Sequence, residues 1–206
     1  MGWRAALIGS ALPALIIALI WIKIKEPAPL SQPVPDKTDI ITDDAATVRS
    51  RINSPGFWLL TLSYTLQGYV GYIFVTWFYL YLVQERHFSL LGGAWMSSLP
   101  WILSLISIPL GGYISDKLSS GTIGQKWGSR LVPITGMAVS GILISTGAHT
   151  SSAVVAAISL AFATALILCV EGPFWAMMMK IAGNRSGTAG GIMNMGSNIG
   201  GLISPA

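Results

Sequence analysis

The chain has 206 residues, 52% of them hydrophobic and 10% charged, with a mean hydropathy of +0.65. These values exclude a soluble domain built on one or two cores and point to an integral membrane protein. A net charge of +4 and a pI near 9.4 do not make a nucleic-acid binder, because the twelve basic residues are scattered rather than gathered on one face.

The first apolar run, Ala5 to Ile22, reads as a membrane span and not as a signal peptide. It lacks the usual basic n-region, no small-residue cleavage site follows Trp21, and Lys23 and Lys25 come after it as in a stop-transfer helix. Residues 26–54 follow as a long linker, first rich in proline (Pro27, Pro29, Pro33, Pro35) and then charged. Thr42-Asp43-Asp44 ahead of Arg49 and Arg51 has acid first and base last, the order of a short helix at the membrane surface. A linker of this length among short loops marks a boundary between two bundles.

Four further spans are predicted over Phe57 to Val83, Leu91 to Ile114, Leu131 to Gly147 and Ala153 to Ile181, and a fifth begins near Thr188 and is cut short. Asn53-Ser54-Pro55 supplies a cap and a first-turn proline, Ser151-Ser152 another cap, and Pro133 falls in a first turn. The Gly121 to Gly128 segment reads as a loop. If the first span ends in the cytoplasm, Lys23, Lys25, Lys37, Arg49, Arg51, Lys117, Lys126, Arg130, Lys180 and Arg185 share that side, and Arg4 and Arg86 lie on the other. That split fixes the orientation by the positive-inside rule.

Of the eight acids only Glu171 lies deep inside an apolar run. A charge there costs about 2.5 to 3.5 kcal/mol on insertion scales, so it is expected to face protein or a water-filled cavity. It could take part in a transport pathway, carry a coupling proton, or hydrogen-bond a neighbouring helix as a structural acid. Pro173, two residues on, leaves the Cys169 carbonyl without its helical partner and bends the span. Glu171 and Trp175 belong to this pathway candidate. Asn194 and Asn198, four apart on one helix face, offer donors and acceptors suited to a polyhydroxy acid, or else act as glue between helices. Gly187, Gly191, Gly196 and Gly200 give two small-xxx-small steps and read as helix packing. Tyr64, Gly68, Gly71, Tyr72, Val75 and Tyr79 follow helical spacing, and Tyr64 and Tyr72 are candidates to line a cavity; Trp77 and Tyr81 fit an aromatic belt.

The single Cys169 leaves no disulfide framework and no thiolate metal site, and His87 and His149 have no partner at ligand spacing. There is no GxGxxG, Walker loop, HExxH or paired catalytic carboxylate, so no metal, cofactor or enzymatic activity is expected.

Gly111-Gly112-Tyr113-Ile114-Ser115-Asp116-Lys117, with Arg130 opening the next span, places an acid and bases where two helix ends meet. Such groups can hold those ends together and release them, or form no more than an interfacial Asp-Lys pair with snorkelling side chains. Gly112-x-x-x-Asp116-Lys117 resembles the signature loop of the major facilitator superfamily, in its copy between the eighth and ninth helices; Leu118-Ser119 replaces the usual glycine step. Thr76 to Arg86, Ser98-Leu99-Pro100, Gly187-Thr188-Ala189-x-Gly191-x-x-Asn194 and Gly2-Trp3-Arg4 are similar to the anion:cation symporter branch, whose bacterial members carry sugar acids.

The resemblance implies an all-α, incomplete major-facilitator bundle running from about the sixth to the eleventh of twelve helices. Residues 1–25 would be the last helix of the first bundle, 26–54 the cytoplasmic linker, and 55–206 the second bundle, with helices over about 55–83, 91–116, 130–149, 152–181 and 186–206. It implies secondary transport of a small organic anion such as glucarate, galactonate or a hexuronate, coupled to protons, in the bacterial inner membrane. Partners would be that anion, protons, the lipid bilayer and first-half helices, with no nucleic acid. Asn194 matches a substrate-contacting asparagine of the branch, whose proton-coupling acids belong to the first half. A cationic anchor for the substrate carboxylate is expected too. With no arginine or lysine near mid-membrane here, it would lie in the first half. The alternative is a truncated, non-transporting subunit that associates through its glycine faces.

Overall fold

The computed structural model describes residues 3–23, 53–121 and 123–204. Of these, 92% are helical and none forms a strand. Contacts divide the chain into two units, Met1–Asp43 and Asp44–Ala206. In the first, α1 spans Trp3–Lys23. Nearly all of the expected linker, and with it the surface helix near Asp43, lies outside the described residues.

The second unit is a bundle. Helix α2 (Pro55–Leu80) starts where its punctuation predicts: Ser54 Oγ accepts from Phe57 N at 3.3 Å, and Pro55 takes the first turn. It runs on into a π-helical turn, Tyr81–Glu85, in which Leu82 is buried. A reversal at His87, with φ 56°, leads to α3 (Leu90–Ser120), capped by Ser89. Then come α4 (Gly124–His149) and α5 (Ala153–Cys169), the latter capped by Ser152 as expected. Helix α6 (Glu171–Ala182), a 3₁₀ turn (Gly183–Arg185) and α7 (Ser186–Ile203) complete the chain.

Four continuous runs are long and apolar enough to cross a membrane: Pro55–Glu85, Leu90–Ser120, Lys126–His149 and Ala153–Ala182. The last is 61% buried within the bundle, against 17 to 28% for the others, so α5 and α6 form its centre. Small residues let neighbours approach there: Ala156, Ala157, Ala161 and Ala163 are fully buried. On the outer helices Trp101, Leu105, Ile106 and Tyr113 are exposed, as side chains facing lipid tails should be.

One expectation is corrected and one is borne out. Helix α4 begins at Gly124, inside the segment read as a loop, so Pro133 lies in its interior rather than its first turn. Gly128 makes this early start possible, because its bare backbone abuts Leu118 and Ser119 at the end of α3. Second, the span predicted over Ala153 to Ile181 is present as one run, and the bend expected from Pro173 appears as an interruption at Val170 between two helical segments. The break follows from Pro173. Its ring leaves the Cys169 carbonyl unbonded within the helix, and that carbonyl lies where a side chain on Gly111 of α3 would otherwise sit.

Candidate functional site

The α5–α6 break delivers Glu171 to the first turn of α6, facing α2. Three side-chain donors converge on its carboxylate. Tyr64 Oη–H donates to Oε1 at 2.5 Å, Trp175 Nε1–H to the same oxygen at 2.9 Å, and Gln67 Nε2–H to Oε2 at 3.1 Å. Gln67 also donates to the Ile167 carbonyl at 3.2 Å, and Trp175 Nε1–H is shared with Tyr64 Oη at 3.2 Å. Tyr64 and Gln67 are buried, while Glu171 and Trp175 are half-buried. The Tyr64 ring packs edge-on against Phe174 and Trp175, with centroids 5.7 and 6.3 Å away. So a carboxylate in an apolar span is satisfied by three neutral donors, as a buried acid requires.

Gln67 escaped the sequence reading. Its signal was present, since position 67 is one helical step of three from Tyr64 and shares its face.

Helix α7 packs parallel to α2, and its glycines set the register. Gly196 lies beside Thr61 and Thr65, Gly200 beside the Thr65 and Tyr69 backbone, and Gly201 against the Tyr72 ring. Gly68 of α2 answers them, approached by Ser197. Gly196 and Gly200 thus pack α7 on α2. Gly187 and Gly191 do not: both are exposed, and a methyl on either meets nothing within 4 Å. The reason is angular. Each is nine residues from its counterpart, which at about 100° per residue is half a turn.

The same geometry puts Gly187, Gly191, Asn194 and Asn198 together on the open face of α7. Asn198 Oδ1 accepts from Tyr72 Oη–H at 3.0 Å, and Asn198 Nδ2 donates to the Asn194 carbonyl at 2.8 Å. The Asn194 amide is exposed and makes no hydrogen bond among the described residues. Trp175 bridges the two halves of the seam. An added methyl on Gly190, one turn before Asn194, would come within 3.0 Å of the indole. Tyr64, Gln67, Glu171 and Trp175 therefore form one cluster, and Tyr72, Asn194 and Asn198 a second beside it.

The residues read as a gate sit at the basic end of α3 and α4. Gly112 lies at the contact with α6, its Cα 3.5 Å from where a Gly172 methyl would be. Of the arrangements open to this set, an Asp116–Arg130 pair is not formed among the described residues. Both are exposed, and neither has an ion pair among the described residues. Lys117 instead holds its Nζ 5.9 Å from the Tyr113 ring centroid. Because α3 runs to Ser120 and α4 starts at Gly124, these charges project from helical turns instead of meeting in a loop.

A cavity of about 560 Å³ lies away from the seam at the opposite end of the bundle, lined by Phe74, Trp77, Phe78, Tyr81, Arg86 and Ile144. Arg86 is fixed there. It donates to the Gly147 and Thr150 carbonyls at 3.1 and 2.8 Å and to Tyr81 Oη at 2.6 Å, closing the end of α4. No group of three or more His, Cys, Asp or Glu that could hold a metal occurs among the described residues.

Comparison with known proteins agrees with this architecture. The family model described as Major Facilitator Superfamily matches residues 1–205. The chain is 31% identical to the probable sulfoacetate transporter SauU of Cupriavidus necator over 148 residues, 72% of this chain and 34% of that protein. It is 23% identical to the hexuronate transporter of Bacillus subtilis over 210 residues, 99% of this chain and 50% of the relative. With the probable galactarate/D-glucarate transporter GudP of Escherichia coli, identity is 26% over 229 residues, covering 100% and 50%. The chain thus spans half or less of the length of these relatives, which are transporters and not enzymes. With its membrane-length helices and a family match along almost its whole length, the chain is a multi-pass integral membrane protein belonging to the major facilitator superfamily.

Proposed function

We propose that the chain forms most of the second bundle of a secondary transporter that moves a small organic anion by alternating access, coupled to protons. The cargo is of the sugar-acid type, such as a hexuronate, galactonate or glucarate. The observation that carries this reading is the open face of α7, where the amides of Asn194 and Asn198 lie four residues apart and Asn198 is bonded to Tyr72. An amide has two donors and two acceptors and suits hydroxyls and carboxylates alike. The Asn194 side-chain amide, exposed and without a hydrogen bond among the described residues, is the foremost contact. Tyr64, Tyr72, Glu171, Trp175 and Asn198 complete the pathway wall, and Gly112, Asp116, Lys117 and Arg130 gate its basic end. The relatives act on hexuronate, galactarate or D-glucarate, and sulfoacetate, all organic anions, and this supports the cargo class.

The test is uptake of labelled glucuronate, galactonate and glucarate by cells expressing the gene in its genomic frame, with and without a protonophore. Uptake that the protonophore abolishes and Asn194→Ala reduces at equal expression supports the reading. No uptake of any of the three refutes it. Membrane self-association is a second reading, favoured by the open space at Gly187 and Gly191. It expects cross-linking of a cysteine placed at Gly187 in the absence of substrate.

A further inference from the structure

We infer that Glu171 makes this pathway select monoanionic sugar acids, with one carboxylate and a neutral polyol end, over dianions that carry an acid at each end. The inference rests on the transport reading above and names its substrate class.

Indole and primary amide N–H groups only donate, so the hydrogen bonds from Trp175 Nε1 and Gln67 Nε2 identify the Glu171 oxygens as acceptors. All three donors are neutral, and among the described residues no ion pair reaches Glu171. Neutral donors bring no compensating positive charge to this carboxyl group. They are also spent: the donors a cargo carboxylate would seek on this wall are already turned to Glu171.

What is left for the cargo is the face of α7. The register of Gly196 and Gly200 against Thr61, Thr65 and Tyr69 sets Asn194 near the depth of Tyr64. The Trp175 indole, which donates to Glu171, lies against Gly190, four residues or about 6 Å along α7 from Asn194. The end of a cargo that reaches Asn194 is therefore close to the Glu171 charge. Hydroxyls tolerate that neighbour and can donate toward it. A second carboxylate is repelled, by on the order of tenfold or more in affinity for separations under about 10 Å at an effective dielectric near 20. Sulfoacetate, with two anionic groups on a two-carbon frame, is disfavoured for the same reason, although the chain shares 31% identity with a probable transporter of it.

The experiment is competition for uptake of labelled glucuronate in the cells described above, with unlabelled galactonate as the monoanion and glucarate and galactarate as dianions. Galactonate is expected to inhibit at concentrations about tenfold or more below those of the dianions. In Glu171→Gln that ratio falls toward one. In Glu171→Asp, which keeps the charge, it persists. Dianions that compete as well as galactonate in the unaltered protein overturn the inference, as does a ratio unchanged in Glu171→Gln. Each ratio is internal to one protein, so a loss of expression in a variant does not mimic the result. If no sugar acid is taken up at all, the transport reading itself falls, and that outcome is distinct from uptake without selectivity.

Discussion

Gly200 carries the close approach of α7 to α2, and enlarging it should separate the two helices. A methyl group there would meet the Thr65 carbonyl oxygen directly, with Tyr69 N at 3.0 Å and Thr65 C at 3.3 Å. All three are backbone atoms, which cannot swing aside as a side-chain end does, so the helices must shift apart. Overpacking of this kind costs roughly 1 to 3 kcal/mol. For a chain of this size, each kcal/mol corresponds to roughly 2 to 4 °C in Tm, so Gly200→Ala should lower the midpoint by roughly 2 to 12 °C. The assay is thermal unfolding followed by tryptophan fluorescence, all variants in one detergent. Gly191→Ala is the matched control, because its methyl enters open space on the opposite face and alanine favours the helix by about 0.5 to 1 kcal/mol. Equal midpoints for the two variants, or Gly191→Ala as the weaker protein, would refute the assignment of packing and open faces.

Three other outcomes follow from contacts already described. Gln67→Leu removes a donor from Glu171 Oε2 and from the Ile167 carbonyl and should destabilise by about 1 to 3 kcal/mol, read by the same melts; an unchanged midpoint would mean that another group has replaced the amide. Arg86→Lys should lose about 1 kcal/mol or more, because an ammonium cannot span the Gly147 and Thr150 carbonyls and Tyr81 Oη as a guanidinium fork does; full stability of the lysine variant counts against that role. Asp116→Asn should leave stability within about 0.5 kcal/mol of the parent, since the acid has no ion pair among the described residues, yet slow uptake if the gate acts through it. A large loss of stability would show that the acid holds helix ends together without any gating role.

The spans were legible because a membrane crossing is written in length and apolarity, and the caps at Ser54, Ser89 and Ser152 show how little else a helix start needs. Sequence also located the bend at Pro173, since a missing N–H has a fixed address four residues back. It did not reveal that Gly128 folds the α3–α4 turn tightly enough for α4 to begin at Gly124, because that depends on a contact with Leu118 and Ser119. The seam was half legible. Tyr64, Glu171 and Trp175 are legible as candidates for one pathway, but only a three-dimensional arrangement joins them by hydrogen bonds and adds Gln67. The glycines of α7 teach the same point differently. Two matching GxxxG steps look alike on paper, and their spacing of nine residues, available all along, turns one toward α2 and the other away.

Gly111 and Pro173 sit in different helices, yet they answer to one atom, the Cys169 carbonyl oxygen. Proline exposes it, and glycine makes room for it. As sequences diverge, neither position is then free to drift by itself. A residue with an N–H at 173 would let that carbonyl bond within its own helix and straighten the span, leaving a glycine at 111 with nothing to accommodate. A larger residue at 111 would instead push on an oxygen that has nowhere to retreat while the proline remains. The pair should therefore be exchanged together or kept together, which makes the bend in the central helix an inherited unit whose two halves lie far apart in the gene.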